Sequence, residues 1–216
     1  LHLTGDDSEI VRLQLALSLG ETDDSRALQA LADLAKKHGK ETWLDGAILS
    51  SLGNRGGKML GALLSTPDQL GQARDLVKRL CSAVANRRDH DELSVAILHI
   101  ATLSDQSLQS ECLEGLLEPF KSTTALALNK PAQDALKRLA TTGDGEAKIA
   151  AIKLTQVLNL ESAPERKARL TKALSEVANV QLPVERRLAA VRGLASEHDV
   201  VIVDNLLRAY PSATPA

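Results

Sequence analysis

A glycine-rich stretch, Gly53-Asn-Arg-Gly-Gly-Lys58, is the part of this sequence that comes nearest to a nucleotide-binding loop. Phosphate-binding loops place four residues between the first Gly and the Gly-Lys pair, and the Lys is followed by Ser or Thr, which holds magnesium. Here three residues fill that gap and Met59 follows the Lys. The stretch also lies between two helical patterns instead of after a strand. We therefore predict a helix–helix turn and no nucleotide site.

Histidine spacing gives no metal site. No two of the five histidines are three or four residues apart, and none has a nearby Cys, as zinc-binding helices require. The cluster Asp89-His90-Asp91 stands where a helix should begin, so we expect its carboxylates to cap free N–H groups. His99 falls in an apolar column and is predicted to be a buried or half-buried packing residue. The five positions are His2, His38, His90, His99 and His198.

Nucleophiles and paired carboxylates are equally uninformative about catalysis. Cys81 and Cys112 each fall inside a helical pattern and are predicted to be small buried side chains; a disulfide between them stays open, because the sequence does not fix their separation. No Ser has a nucleophile-elbow context, and no Cys–His pair is present. The aligned Glu161 and Glu165 are expected to decorate a surface. We predict no catalytic, cofactor-binding or metal-binding residue, and hence no enzyme activity in this chain.

Charge argues against a nucleic-acid partner. The formal net charge is −2, and the aromatic residues number only three, Trp43, Phe120 and Tyr210. Nucleic-acid binders combine a basic surface with stacking aromatics. Short basic clusters are separated by acidic stretches, and no run reaches the roughly 18 apolar residues that a membrane span needs. We expect a protein partner and no membrane insertion. A modest cationic strip is predicted only if one helix row lines a concave surface, formed by Arg166, Lys167, Arg169 and Lys172.

Composition and periodicity predict an all-α chain. Leu and Ala dominate the apolar residues and are strong helix formers. Asp7 or Ser8 should cap the first helix, whose apolar face would carry Ile10, Val11, Leu15 and Leu19. Val200 to Val203 are assigned to a helix because no partner strand is predicted. A loop is expected at 121–131, and helices at 8–19, 25–38, 43–52, 57–64, 67–88, 93–103, 108–120, 131–140, 145–159, 165–180, 183–196 and 199–209.

Internal repetition organises these helices. The segment from Arg187 to Leu194 recurs in size and charge at 148–153, and its apolar columns recur at 12–19, 45–52 and 93–100. The repeat spacing is irregular, 33 residues from Gly20 to Gly53 and then 48 to Ala101, which favours HEAT-type helical pairs over stricter repeats. We predict one domain over 1–210, a right-handed superhelix of about five pairs with an extra helix in the middle, followed by a linker-like tail at 211–216.

The segments from Val11 to Gly20, from Trp43 to Leu52 and from Arg186 to Leu194 resemble the HEAT-repeat region of large planctomycete proteins. Those proteins join a propeller similar to sugar dehydrogenases, a HEAT-like middle and a c-type cytochrome domain. The resemblance implies a spacer or docking domain in a periplasmic or otherwise extracytoplasmic protein, which could be an oxidoreductase. The chain lacks the Cys-x-x-Cys-His haem signature, so no haem is carried over to it.

Two functions of different classes follow from these patterns. The first is a non-catalytic scaffold or protein-interaction module, expected to be a domain cut from a longer protein because the sequence opens at Leu1 and ends in a Pro-Ala tail. The second is a helical-repeat enzyme or ligand-binding fragment, with a site built from scattered polar residues. A cytoplasmic adaptor is a third reading. A deep pocket with convergent titratable groups would favour the second function, and a shallow groove the first.

Overall fold

The computed structural model describes residues 2–120, 126–160 and 162–195, and within them the chain forms eleven α-helices, three short 3-10 turns and no strand. The all-α prediction is therefore confirmed. The 3-10 turns are His2–Gly5, Pro67–Gln69 and Gly71–Ala73. The α-helices are α1 (Glu9–Leu19), α2 (Ser25–His38), α3 (Leu44–Ser51), α4 (Gly56–Leu64), α5 (Arg74–Arg87), α6 (His90–Ala101), α7 (Gln106–Leu117), α8 (Lys130–Thr142), α9 (Gly145–Val157), α10 (Ala163–Ala178) and α11 (Val184–Ala195).

Short polar side chains set most helix starts. Asp24, Asp89 and Asp105 each accept hydrogen bonds from backbone N–H groups in the first turn of the helix that follows. Asn129 and Asp144 do the same for α8 and α9. These acceptors satisfy N–H groups that have no partner within the helix. The local sequence therefore decides where many of the helices begin.

The helices pack in two rows that follow the chain. Each odd-numbered helix contacts the next odd-numbered one, from α1 through α3, α5, α7 and α9 to α11. The even-numbered helices α2, α4, α6 and α8 contact each other in the same order. A helix with apolar residues on one stripe must bury that stripe against a neighbour, and the two rows bury theirs against each other. We call them the odd row and the even row.

A continuous apolar core fills the space between the rows, from Ala16 in α1 to Leu158 after α9. Leu31, Ile48, Leu80 and Ile97 are completely buried in it. Burying one such side chain contributes about 1.5–3 kcal/mol relative to leaving it in water. A second, small cluster of Val177, Ala190 and Leu194 joins α10 to α11.

Three expectations about individual elements are wrong. Ile10 is 78% exposed, whereas Arg12, Ala16 and Leu19 are the buried residues of α1. Trp43 does not belong to α3: it precedes the helix with a left-handed φ of 69° and is also 78% exposed. The single helix expected from Pro67 is broken, because Gly71 has a positive φ of 56° and α5 begins only at Arg74. The helix expected at 199–209 and the tail at 211–216 lie outside the described residues.

Candidate interaction surface

An open groove lies between α2 and α4 on the even row, with a volume of about 590 Å³. It follows from the way α2 is amphipathic. Ala27, Ala30, Leu31 and Leu34 face the core. The polar residues of α2 are themselves spaced three and four positions apart, so they share the other side of the helix. We call it the even-row groove, and it is lined by Gln29, Asp33, Lys36, Lys37, Ala62, Ser65, Thr66 and Gln69.

Hydrogen bonds between side chains organise this groove. The Lys36 ammonium donates to the Thr66 hydroxyl at 2.8 Å, which joins the end of α2 to the second residue after α4. The Gln29 amide donates to Asp33 at 3.0 Å along the surface of α2. Gln29, Lys37, Ser65 and Gln69 are all exposed. The groove therefore offers donors, acceptors and both signs of charge to a partner, on a shallow surface.

His99 of α6 lies against the neighbouring helix α4. The expectation that it is buried or half-buried is wrong, because the residue is exposed. Its ring lies against Gly61 of α4, where an added Cβ would stand 2.5 Å from Nε2. Only a glycine lets the imidazole approach α4 this closely.

A second, smaller groove of about 300 Å³ lies where α1 and α3 end. Arg55 dominates it: its guanidinium donates to the carbonyl oxygens of Thr22 at 2.7 Å, Gly20 at 3.2 Å and Ser51 at 2.8 Å. Carbonyl groups at helix ends carry partial negative charge, so a cation is well placed there. Arg55 joins the loop after α1 to the end of α3, and its donors are already used in that role.

The glycine-rich turn is occupied by a carboxylate of the chain itself. Glu92 of α6 accepts hydrogen bonds from the backbone N–H groups of Gly56 at 2.6 Å and Gly57 at 3.3 Å, at the start of α4. Arg87 donates to the same oxygen at 2.8 Å. The prediction of a helix–helix turn is confirmed. The N–H groups that would hold a phosphate in a nucleotide-binding loop bind Glu92 instead.

A buried ion pair joins α1 to the segment that follows α2. Arg12 donates through Nε to Glu41 at 3.0 Å and through Nη2 at 2.5 Å, and its side chain is only 7% exposed. His38 contacts the same carboxylate at 2.8 Å. A bidentate guanidinium–carboxylate pair is geometrically specific and shields the buried cation. Arg12, Glu41 and His38 all find their partners within the chain, so this cluster stabilises the fold.

The remaining candidate residues do not come together in one site. Asp89 caps α6, as expected, and His90 pairs with Asp91 at 3.1 Å. Cys81 and Cys112 are buried, as predicted, and both thiols are free. Among the described residues no group of three or more His, Cys, Asp or Glu side chains is placed to hold a metal ion. Glu161 lies outside the described residues.

Carboxylates and cations of α10 take part in local pairing. Glu165 completes a capping box with Ser162 and pairs with Lys137 of α8 at 3.0 Å. Hydrogen bonds from Ser162 and Lys137 lower the pKa of Glu165 to about 2. Arg166, Lys167 and Lys172 are exposed and Arg169 is half-buried, so the strip does reach the surface. Arg166 and Arg169 each have an interaction partner.

Comparison of this chain with family models, with curated proteins and with solved structures finds no match. In the part of the chain that the structure describes, no helix combines the length and the apolar character that crossing a membrane requires.

The residues of the even-row groove were missed by sequence reasoning. Gln29 is an ordinary solvent-facing residue of α2, whereas Ser65 and Gln69 follow α4. Only the packing of α2 beside α4 and the segment after it brings them together.

Proposed function

We propose that this chain is a HEAT-type α-solenoid, a right-handed superhelix that works as a non-catalytic interaction module and binds a protein segment along the even-row groove. The observation that carries this proposal is the order of helix contacts. In a solenoid each repeat packs only on its neighbours, so rows of helices follow the chain. The odd row and the even row have that order. Five consecutive pairs also contact each other, α2–α3, α4–α5, α6–α7, α8–α9 and α10–α11, with α1 in front of them.

The chemistry of the even-row groove supports a peptide as the bound segment. The amides of Gln29 and Gln69 each carry a donor and an acceptor, as does every peptide unit of an extended chain. Lys37 and Asp33 provide one charge of each sign for side chains of the partner. A groove with this lining suits an exposed polar segment more than a small apolar ligand, which prefers an enclosed, mostly apolar cavity.

The resemblance to planctomycete multidomain proteins adds a setting to the proposal. In that setting the module spaces or docks neighbouring domains of an extracytoplasmic protein, and the bound segment belongs to one of those domains. The proposal for the groove does not depend on this setting.

Small-angle X-ray scattering tests the superhelix. A compact globule of 216 residues has a radius of gyration of about 17 Å by the scaling for single domains. We expect a clearly larger value and a distance distribution with an extended tail. A radius near that of the globule, with a symmetric distribution, would overturn the solenoid.

Binding is tested with peptides selected from a random-sequence display library on the full chain, with their footprint mapped by hydrogen exchange. We expect protection on α2 and α4, and at least tenfold weaker binding after Ala62→Arg in the groove. Ala83→Arg on α5 is the matched control, because both alanines are half-buried helical residues. A footprint on the odd row, or equal effects of the two substitutions, would contradict the proposed surface.

A further inference from the structure

Two thiols lie on neighbouring helices of the odd row. Cys81 belongs to α5 and Cys112 to α7, both are free, and neither has any exposed surface. Ion pairs fix the register between these helices. Arg74 pairs with Glu111 at 2.8 Å, and one turn later Lys78 pairs with Glu114 at 3.4 Å. In this parallel register Cys112 lies level with the turn of α5 between Arg74 and Lys78, and Cys81 lies about one turn further along α5.

Gly115 confirms that register through the backbone. A Cβ added to Gly115 would stand 2.6 Å from the carbonyl oxygen of Lys78 and 2.9 Å from Cβ of Cys81. The two helices therefore touch at this glycine, with the Cys81 side chain lying directly on α7. Cys112 is three residues before Gly115 and so lies on the same face of α7, one turn away.

Burial also affects the chemistry of the Cys81 thiol. Burial raises the pKa of the Cys81 thiol well above its ordinary value, and the neighbouring Cys112 thiol raises it further. Disulfides form between residues whose Cα atoms are about 4.4–6.8 Å apart. The close approach of α5 and α7 at Gly115 brings both cysteines to one contact between helices.

We propose that Cys81 and Cys112 form a redox site, in which a disulfide oxidant such as oxidised glutathione converts the two thiols into an intramolecular disulfide between α5 and α7. Local opening of the α5–α7 contact exposes one thiol, whose thiolate attacks oxidised glutathione, forms a mixed disulfide and releases one glutathione thiolate. The second thiol attacks the protein sulfur of the mixed disulfide, and the second glutathione leaves. Two protein thiols and one oxidised glutathione thus give one protein disulfide and two reduced glutathione molecules, which take up both protons.

The consequence is a covalent link across the middle of the odd row. The bond would close a loop from residue 81 to residue 112 and reduce the freedom of the unfolded chain. When both thiols are reduced, α5 and α7 are held together at this point by packing and by the two ion pairs. The redox state then sets how easily α5 and α7 separate, independently of what the even-row groove binds.

Equilibration in glutathione buffers of graded oxidised-to-reduced ratio tests the site, with the full chain both native and unfolded in urea. After acid quenching and alkylation, intact mass separates the linked chain from the chain with two alkylated thiols. We expect the equilibrium constant for linking to be at least tenfold larger in the native chain than in the unfolded one. By thermodynamic linkage, the linked chain must then unfold at a higher urea concentration than the reduced chain.

Cys81→Ala and Cys112→Ala are the controls, since neither variant can form the bond within one molecule. A native chain that links no better than the unfolded chain, or that carries only mixed disulfides with glutathione, would overturn the proposal. A linked chain that unfolds at lower urea than the reduced chain would do so as well, because the bond would then require the helices to move away from their native register.

Discussion

The region from α1 to α9 and the hairpin of α10 and α11 are built from the same kind of helix but are held in different ways. The first region shares one apolar core that continues from Ala16 to Leu158. In the hairpin, three buried residues, Val177, Ala190 and Leu194, form a core of their own. The helices of the first region are therefore stabilised by a core that they share, whereas α10 and α11 are stabilised mainly by the apolar contacts that they make with each other.

Exposed ion pairs are among the contacts that attach the hairpin. α11 packs on α9, but a Cβ added at Gly193 would only just reach the side chain of Ile152, at 4.0 Å. The other attachments include exposed ion pairs, Lys137 with Glu165 and Arg192 with Glu146. Exposed pairs of this kind contribute about 0–1 kcal/mol each. We infer that the hairpin opens at a lower free energy than the region before it.

Two matched leucines should show the largest difference between the regions. Leu80 and Leu194 are 0% and 1% exposed, but they lie in the continuous core and in the hairpin cluster respectively. Leu80→Ala should lower the free energy of unfolding by about 2–5 kcal/mol, because a cavity is left in a close-packed core. Leu194→Ala should leave the main transition nearly unchanged and increase opening of the hairpin. Urea unfolding followed by circular dichroism measures the first effect and hydrogen exchange the second; equal shifts of the main transition would contradict the comparison.

Two glycines within the first region sharpen the account of how closely its helices approach. A Cβ at Gly56 would stand 2.7 Å from Glu92 Oε1 and 2.7 Å from Cγ2 of Val84, whereas a Cβ at Gly46 would meet nothing within 4 Å. Gly56→Ala should therefore cost about 1–3 kcal/mol through overpacking. Gly46→Ala should stabilise α3 by about 0.5–1 kcal/mol, because alanine has less conformational entropy than glycine to lose when the chain folds. Thermal unfolding of both variants checks the signs, and stabilisation by Gly56→Ala would show that the approach of α6 to α4 is not tight.

Salt should affect the hairpin more than the region before it. Raising the salt concentration to about 1 M shortens the screening length to about 3 Å, which weakens exposed ion pairs and leaves apolar packing intact. Amide exchange in α10 and α11 should become faster, relative to exchange in α5, by up to about fivefold, which corresponds to roughly 1 kcal/mol. Arg192→Gln should produce part of this change at low salt. If exchange in α11 responds to neither treatment, the hairpin is held mainly by apolar contact.

Acid should weaken the same attachment through Glu165. Its pKa is lowered to about 2 in the folded chain, from an ordinary value of 4.5, so the ionised carboxylate stabilises the fold. That contribution is complete above pH 4.5 and is lost as the pH falls towards 2. Carboxyl NMR titration should find this low pKa, and Lys137→Gln should raise it. The control is Asp24, whose pKa of about 2 is held by Arg26 within α2 and should not change in that variant; an unshifted Glu165 in the wild type would contradict the capping box.

Local features of the sequence predicted the helices and many of their ends, because caps and apolar periodicity act within one or two turns. They did not predict which charged residues are buried. Arg12 is buried because Glu41, 29 residues away, supplies a bidentate partner, and Glu92 because Gly56 offers an N–H group from 36 residues away. Trp43 and Ile10 look apolar in the pattern and yet face solvent. The even-row groove depends on packing between helices, so the pattern within a single helix could not predict it.

Removing the hairpin tests most directly the claim that the helices form a linear stack held by neighbour contacts. A chain of residues 1–160 lacks α10 and α11 but keeps the whole continuous core. We expect it to remain helical and to unfold in urea in a cooperative transition with nearly the midpoint of the full chain. If the shortened chain loses its helical signal or its cooperative transition, the helices form one closed unit and the stack is wrong.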